Sequence, residues 1–374
     1  MGGWDKIFSM SSTFLRSKRV LVGLSGGVDS SLSVALLKEQ GYEVTAGFIK
    51  NWSDTKDLWT GECAWRAERR DALRVCALLG IDLLTFDFEK DYRERVLQRM
   101  FDEYEQGITP NPDVLCNEEI KFGLFAQAAF ERGFDVVATG HYARVIQDEQ
   151  GQAHLLKAID EEKDQSYFLH RVSQDVLRRT LFPIGHLKKS EVRLEAERRG
   201  LPTASKPDSQ GICFVGKINF HEFLRKKIPS VPGDIVTYDG RIVGRHDGLD
   251  AYTIGQRQGI RVSQDQRAWY VAEKHLEKNE LIVVPDRDDP RMFRRQAEVH
   301  HVHWINQPLF PVDGQPVQLE VVTRYHQIPT FAQVNHLADD VVRVVFDQPV
   351  WAVAPGQSAV FFDGQECLGG GFLN

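Results

Sequence analysis

The chain has 374 residues, of which 26% are charged and 42% apolar, and it carries a formal net charge of −7. That length exceeds what one small core serves and implies two or three domains. The acidic balance excludes a protein that grips nucleic acid over its whole surface, because phosphate binding needs a basic face. No run of apolar residues is long enough to span a membrane. Cysteines are few and odd in number: Cys63, Cys76, Cys116, Cys213 and Cys367. They show neither Cys-x-x-Cys nor zinc-ligand spacing, which excludes a secreted disulfide scaffold and a structural zinc and leaves room for working thiols in a reducing compartment.

Residues 1–18 form a Ser-rich leader with several basic residues and no secretory apolar run, so an untargeted leader and a targeting peptide both remain open. From residue 19 onward strands and helices alternate. "RVLVGL" (19–24) is a continuous apolar run, the mark of a strand buried on both faces. A helix over 30–40, a strand over 43–49, a helix from Ala64 to Leu79, a strand over 81–88, a charged helix over 89–106, a helix over 118–132 and a strand over 135–141 follow. This alternation predicts an α/β domain with a Rossmann-like parallel sheet. Beyond about residue 215 the helical period fades, and short strands with turn signals take over: "PGDIVTYDGRIVGRHDG" (232–248), then "ELIVVP". From about 295 the pattern is all β, as in a small barrel or sandwich. The expected organisation is a leader (1–18), an α/β domain (19–215), a small β-rich central domain (216–286) and a C-terminal β-barrel (287–374). Two basic stretches, 186–199 and Arg225 to Lys227, fit solvated helix faces or local phosphate contacts.

The first strand ends in "SGGVDS", residues Ser25 to Ser30. Glycines allow a tight turn and a close backbone approach, and the N-terminus of the next helix adds partial positive charge. An anion site at the carboxyl end of a parallel strand is the reading that uses all of these residues; a plain turn with Asp29 or Ser30 as helix cap is the simpler alternative. "GICFVGKI" (211–218) has the outline of a phosphate loop but lacks the hydroxyl residue after its Lys, and it is rejected as a nucleotide site. Cys116, in "TPNPDVLCNEEIKFG", falls where a helix is expected to begin, and Cys213 lies in the irregular stretch "KPDSQGICFVG". Each is open to two readings, a small buried hydrophobe or a working thiol. Cys76 lies on an apolar helical stripe and reads as core.

"SGGVDS" resembles the pyrophosphate loop of PP-loop ATP pyrophosphatases, which cleave ATP to AMP and pyrophosphate. With "FIKNW", "TPNPDVLCNEEIKFG", "ATGHYAR", "KDQSYFL", "DSQGICFVG", "TIGQRQG", "TRYHQ" and "PGQSAVFF", all in order, the chain is similar to the tRNA-specific 2-thiouridylase (MnmA) family from about residue 19 to 373. The resemblance implies a PP-loop (adenine nucleotide alpha hydrolase-like) domain followed by two β-rich domains. It implies ATP and Mg²⁺ as cofactors, tRNA as substrate and a cysteine desulfurase or sulfur-relay protein as persulfide donor. It places the protein in the cytoplasm, with no membrane partner. By similarity, Gly23, Leu24, Ser25, Gly26, Gly27, Val28, Asp29, Ser30, Ile49 and Gly140 bind ATP. Asn111, Pro112 and Asp113 read the flipped-out uridine, and Asp113 acts as base or orients the uracil. His141, Lys163, Asp164, Gln165, Arg324, Tyr325 and Gln357 touch tRNA. Cys213 carries the persulfide and Cys116 resolves it, leaving a Cys116–Cys213 disulfide. A PP-loop enzyme with a small-molecule acceptor, and a tRNA-binding module with a relic nucleotide site, are the competing expectations.

Overall fold

A computed structural model of the chain describes residues 18–53, 63–208, 220–225, 227–262, 267–306, 310 and 314–374. Most of the leader, Cys213 and the rejected 211–218 stretch lie outside the described residues. The chain forms two compact units, one built from residues 1–96, 113–217 and 365–367, the other from 97–112, 218–364 and 368–374.

The first unit is built on a parallel sheet. Strands β1 (Arg19–Gly23), β2 (Glu43–Lys50), β3 (Leu83–Asp87), β4 (Val136–Ala138) and β7 (Thr180–Leu181) lie in the order β3-β2-β1-β4-β7. The residues that read as a buried strand are buried: Val20, Leu21 and Val22 are fully inaccessible. Helix α1 (Val28–Glu39) follows β1 and α2 (Ala64–Leu79) follows β2. Val34, Leu37, Ala72, Val75 and Cys76 pack with Val20 and Val22 in one core. Because β2 and β3 extend to one side of β1 and β4 to the other, the order reverses between β1 and β4. Open α/β sheets bind ligands at such a point, beyond the carboxyl ends of the strands.

The charged helix expected over 89–106 is α3 (Glu89–Tyr92), a π-helical stretch (Arg93–Leu97) and α4 (Gln98–Glu105) in succession. The helix expected from 118 begins six residues earlier, as α5 (Pro112–Leu115), and runs on through a π-helical stretch, Cys116–Phe125, into α6 (Ala126–Glu131). Pro112 explains the early start: its fixed φ and missing N–H suit the first helical position. A hairpin, β5 (Arg144–Gln147) and β6 (Ala153–Leu156), was not foreseen. Its strands are four residues each, too short for a period to show. Further on, the first unit carries α7 (Gln174–Leu177) and α8 (Lys189–Arg198).

In the second unit, helix α9 (Phe220–Arg225) precedes a four-stranded sheet, β10-β11-β8-β9, made of β8 (Gly233–Val236), β9 (Ile242–His246), β10 (Tyr270–His275) and β11 (Glu280–Val284). The C-terminal strands β12 (Phe293–Trp304), β13 (Val317–Val322), β14 (Thr330–Ala338), β15 (Val341–Trp351), β16 (Ser358–Asp363) and β17 (Glu366–Leu373) run β12-β15-β14-β13-β16-β17. Pairing of β12 with β17 closes them into a barrel, so of the two sequence readings, barrel and sandwich, the barrel holds. Val299, Leu319, Val334, Val344 and Phe361 fill its interior.

Candidate nucleotide site and base-reading loop

The loop after β1 sits at the switch point. The N-cap of α1 is Gly27, with no side-chain cap, so the helix begins two residues before the expected Ser30 and neither Asp29 nor Ser30 caps it. The first amides of the helix are left for another acceptor, which favours an anion over the plain capped turn. The serines stabilise the turn from within. Ser30 Oγ accepts from Ser25 N at 3.3 Å and lies 3.2 Å from Ser25 Oγ. Ser31 and Ser33 are buried, and each hydroxyl donates to the carbonyl four residues back, on Gly27 at 2.7 Å and Asp29 at 2.9 Å.

Two glycines fix the loop's surroundings. Gly26 has φ +77°, and a Cβ there would run into the Glu68 carbonyl on α2. Gly140, beyond β4, lies against the first turn of α1, where a Cβ would stand 2.6 Å from Ser30 N. The two loops flanking the switch point therefore touch backbone to backbone.

Positive charge reaches the loop from far along the chain. Lys189 Nζ, on α8, bonds both Asp29 carboxylate oxygens at 2.8 Å, 160 residues away in sequence. Tyr142 Oη donates to the same carboxylate at 2.7 Å. Burial and the negative charge of Asp29 push the Tyr142 phenol far above its usual range, so it remains a donor. Lys189 also pairs with Asp208 at 3.0 Å, and Arg193 and Lys163 pair with that carboxylate at 2.5 and 3.7 Å. Lys206 Nζ donates to the Gly26 carbonyl at 2.9 Å and pairs with Asp71 at 2.7 Å. Part of the basic stretch 186–199 thus faces the loop rather than solvent. Lys189 is set in place because its own N–H is bound by Asp160 at 2.7 Å. The sequence loop has no lysine after its glycines; Lys189 and Lys206 supply one in space. Sequence reasoning missed both, and only the lysines' place beside "KPDSQ" and "LKKSEVR" hinted at them.

Ile49 is buried at the carboxyl end of β2. Two residues on, Asn51 is 1% exposed, and among the described residues neither polar atom of its amide has a partner. A buried amide left unsatisfied is costly, so this edge suits a polar ligand. Sequence reasoning passed Asn51 over.

The remaining predicted residues of this unit are placed as follows. His141 is buried; Lys121 Nζ lies 3.4 Å from its Nε2 and Thr139 Oγ1 2.7 Å from its Nδ1. Burial and the Lys121 charge hold the imidazole neutral, which makes Nε2 the acceptor from Lys121 and Nδ1–H the donor to Thr139. Asp164 accepts from Ala158 N, Ser166 N and Ser166 Oγ, and Gln165 Oε1 accepts from Tyr142 N at 3.0 Å. Lys163, Asp164 and Gln165 are all half-buried. Asp113 is half-buried in the first turn of α5. Cys116 is fully buried, one turn inside the helix rather than at its start. Cys213 lies outside the described residues, so the distance between the two thiols is not defined.

In the second unit, residues 106–111 form an irregular loop in which Thr109, Pro110 and Asn111 are buried. Gln357 Nε2 donates to the Thr109 carbonyl at 2.9 Å and to the Pro110 carbonyl at 3.3 Å. Arg324 reaches the Ile254 carbonyl at 3.5 Å, and the Tyr325 ring lies 3.8 Å from that of His326. Among the described residues, no three His, Cys, Asp or Glu side chains are grouped to hold a metal, and no helix is long and apolar enough to cross a membrane.

Comparison with known proteins decides the family. Family profiles described as a tRNA methyl transferase HUP domain, a tRNA methyl transferase PRC-barrel domain and an aminomethyltransferase beta-barrel domain match residues 18–217, 221–285 and 294–373. The tRNA-specific 2-thiouridylase MnmA of Bacillus subtilis strain 168 is 45% identical over 356 residues, 95% of each chain. That of Pseudomonas syringae pv. syringae B728a is 48% identical over 361 residues, 95% of this chain and 94% of its own. The chain belongs to the tRNA-specific 2-thiouridylase (MnmA) family. The domain descriptions name methyl transfer, whereas these near full-length relatives are named for thiolation, and the latter are the more specific match. Among solved structures, an NMN synthetase of Francisella tularensis aligns over 59% of this chain and 82% of its own, at 17% identity and a TM-score of 0.36, a likeness too slight to build on.

Proposed function

We propose that this member of the family is an ATP-dependent tRNA-uridine 2-sulfurtransferase. It adenylates the 2-oxygen of the wobble uridine and replaces that oxygen with persulfide sulfur. The observation that carries this reading is the uncapped N-terminus of α1 beside Ser25, Ser30, Lys189 and Lys206, in a chain that follows the thiouridylase relatives over 95% of its length.

A uridine oxygen is a poor leaving group. Its attack on the α-phosphorus of ATP forms a P–O bond, breaks the bond to the β-phosphate and releases pyrophosphate. The amides at Gly27 and Val28, the serine hydroxyls and the two lysines are suited to hold that anion as its charge grows. Mg²⁺ usually binds through one or two carboxylates plus phosphates, and Asp29 fits the single-carboxylate part of that set. The metal would neutralise phosphate charge, and Lys189, already paired with Asp208, would be free to turn from Asp29 to the phosphates.

The terminal sulfur of a Cys213 persulfide attacks C2 and AMP departs with the oxygen. Cys116 then attacks Sγ of Cys213, the S–S bond breaks, the sulfur stays on C2 and a Cys116–Cys213 disulfide remains for reduction. Because Cys116 is buried, this step requires the helix start or its cover to shift when tRNA binds. Asp113 assists as base or by orienting the uracil. Arg324, Tyr325, Lys163 and the segment around His141 contribute to the tRNA surface, and Gln357 acts through the loop it holds. The persulfide comes from a cysteine desulfurase or relay protein, and the enzyme works in the cytoplasm, in keeping with its unpatterned cysteines.

The test is thiolation of unmodified tRNA with ATP, Mg²⁺ and a persulfide source, read as retardation on a mercury-containing gel. Thiolation is expected from the wild type and none from Cys213→Ser or Cys116→Ser, both still binding ATP. Fully thiolated tRNA from Cys213→Ser would overturn the sulfur route. Pyrophosphate release that ignores tRNA would favour a small-molecule acceptor instead.

A further inference from the structure

An irregular loop that is buried must find a partner for each backbone polar group, or lose stability for each one left over. In the loop from Gly107 to Pro110 those partners come from well separated parts of the second unit. The Ile108 amide donates to Glu103 at 2.9 Å, which continues helix α4. The Gly107 carbonyl accepts from Lys274 Nζ, on β10, at 3.0 Å. The Thr109 amide donates to the Pro355 carbonyl at 3.1 Å, and the Thr109 and Pro110 carbonyls both accept from Gln357. Thr109 Oγ1 lies 3.4 Å from Thr253 Oγ1.

The residues that hold the loop are held in turn. Gly356 has φ +84° and leaves no room for a side chain, because a Cβ would press on Ile108 and stand 2.9 Å from the Thr109 carbonyl. Its amide donates to Leu373 and the Leu373 amide donates to Gln357, so the 354–357 turn is laced to the last strand of the barrel. Lys274 is half-buried, with Asp250 the charged group acting on it; burial pushes its amine down to about 8 and Asp250 works the other way. A partly desolvated amine aimed at a backbone carbonyl is an expensive way to make one hydrogen bond if that bond serves only stability.

We propose that Lys274 and Gln357 are positioning residues for thiolation: together they fix the backbone of 107–110, and so set the register of Asn111 and Pro112. This rests on the function proposed above. It assigns Gln357 a task within the protein, where the family resemblance implies contact with tRNA. The two assignments predict different kinetics. A residue that touches tRNA changes affinity, whereas a residue that sets the geometry of reacting groups changes the rate once tRNA is bound.

The experiment compares Lys274→Met, Lys274→Arg, Gln357→Leu and Gln357→Glu in the full chain. Methionine keeps the stem of Lys274 without a charge or donor, and arginine restores both. Glutamate keeps the size of Gln357 but cannot donate to the two carbonyls. Three quantities are read: the single-turnover thiolation rate at saturating tRNA and ATP, the tRNA dissociation constant by filter binding, and hydrogen exchange of the 106–113 backbone without substrates.

Lys274→Met, Gln357→Leu and Gln357→Glu should each slow the single turnover about tenfold or more, in line with the loss of a charged or buried hydrogen bond. Their tRNA affinity should stay within about threefold of wild type, and exchange at 106–113 should speed up. Lys274→Arg should recover most of the rate. Combining Lys274→Met with Gln357→Leu should cost less than the product of the two, because both hold one loop. Weaker tRNA binding with an unchanged single-turnover rate would overturn the proposal, as would unchanged exchange in the loop. If the wild type thiolates no tRNA the functional reading falls, and the exchange measurement alone then supports or overturns the clamp.

Discussion

Residues 25–30 and residues 107–112 are both short turns leading into helices, and both carry residues proposed to bind, the first ATP and the second the target base. The first is stabilised mainly from inside. Its serines bond its own backbone, its glycine takes a left-handed φ, and the strand before it is buried on both faces. What comes from outside is charge, from Lys189 and Lys206. The second makes few bonds within itself. Its carbonyls and amide are met by Lys274, Pro355 and Gln357, the last two more than 240 residues away in sequence. A turn of the first kind can be recognised as a motif, because its causes are adjacent in the chain. A turn of the second kind has no local signature, because its causes are tertiary.

The strongest way to break the first turn is to remove its conformational permission. Gly26→Ala places an L-residue at φ +77° and drives a methyl group toward the Glu68 carbonyl. A non-glycine residue in that region costs about 1–3 kcal/mol before any clash is counted. ATP binding, measured by equilibrium dialysis, should fall below detection, with a lower melting temperature. Wild-type affinity in this variant would mean that the turn is not the nucleotide cradle.

The matching change in the second turn is Gly356→Ala, also at positive φ and pressed against Ile108 and Thr109. Here thiolation should fall at least about tenfold while ATP affinity stays at wild type, because the damage reaches the loop proposed to read the base and spares the loop proposed to hold phosphate. Loss of ATP binding alongside thiolation would show that the two turns are not separable and would undo the contrast between them.

Removing charge from the first turn should do less than removing its glycine. Lys189→Met leaves the loop's backbone intact but takes the ammonium from Asp29 and Asp208. A charge-assisted bond of this kind contributes about 1.5–3 kcal/mol, so ATP should bind at least about tenfold more weakly. The fall of ATP affinity with added salt should also be shallower than in wild type. An unchanged affinity and salt slope would assign Lys189 to folding alone.

The same contrast explains what was legible beforehand. Buried strand β1, helix α2 from Ala64 to Leu79 and the strand-rich C-terminal third follow from local pattern, and all are present. "SGGVDS" pointed to an anion site because turn, glycines and helix start are contiguous. Lys189, Lys206, Lys274 and the orphan amide of Asn51 were not legible, because nothing near them in the sequence states what they face. The start of the helix before Cys116 was misplaced for a different reason: "TPNP" reads as a breaker, yet its second proline is a good first helical residue. That error put Cys116 at a helix terminus, when it lies a full turn inside.

Cys76 and Cys116 test how far burial alone identifies a thiol. Both are buried, so exposure does not tell them apart. Cys76 sits among Val20, Val22, Val34, Ala72 and Val75, and burial, helped by Asp82, pushes its thiol up to about 11. At neutral pH it is a protonated, small apolar group and nothing more. Cys76→Ala should therefore leave the thiolation rate at wild type and cost about 1 kcal/mol of stability, the scale of a small truncation in a packed core. Cys116 opens the π-helical stretch, the irregular wide turn of its helix, three residues after the end of the segment proposed to read the target base. Adding tRNA should therefore speed alkylation at Cys116 and leave Cys76 unreactive, read by mass spectrometry of the two peptides. Equal protection of both thiols with tRNA bound would remove Cys116 from the reaction and leave it, like Cys76, a core residue.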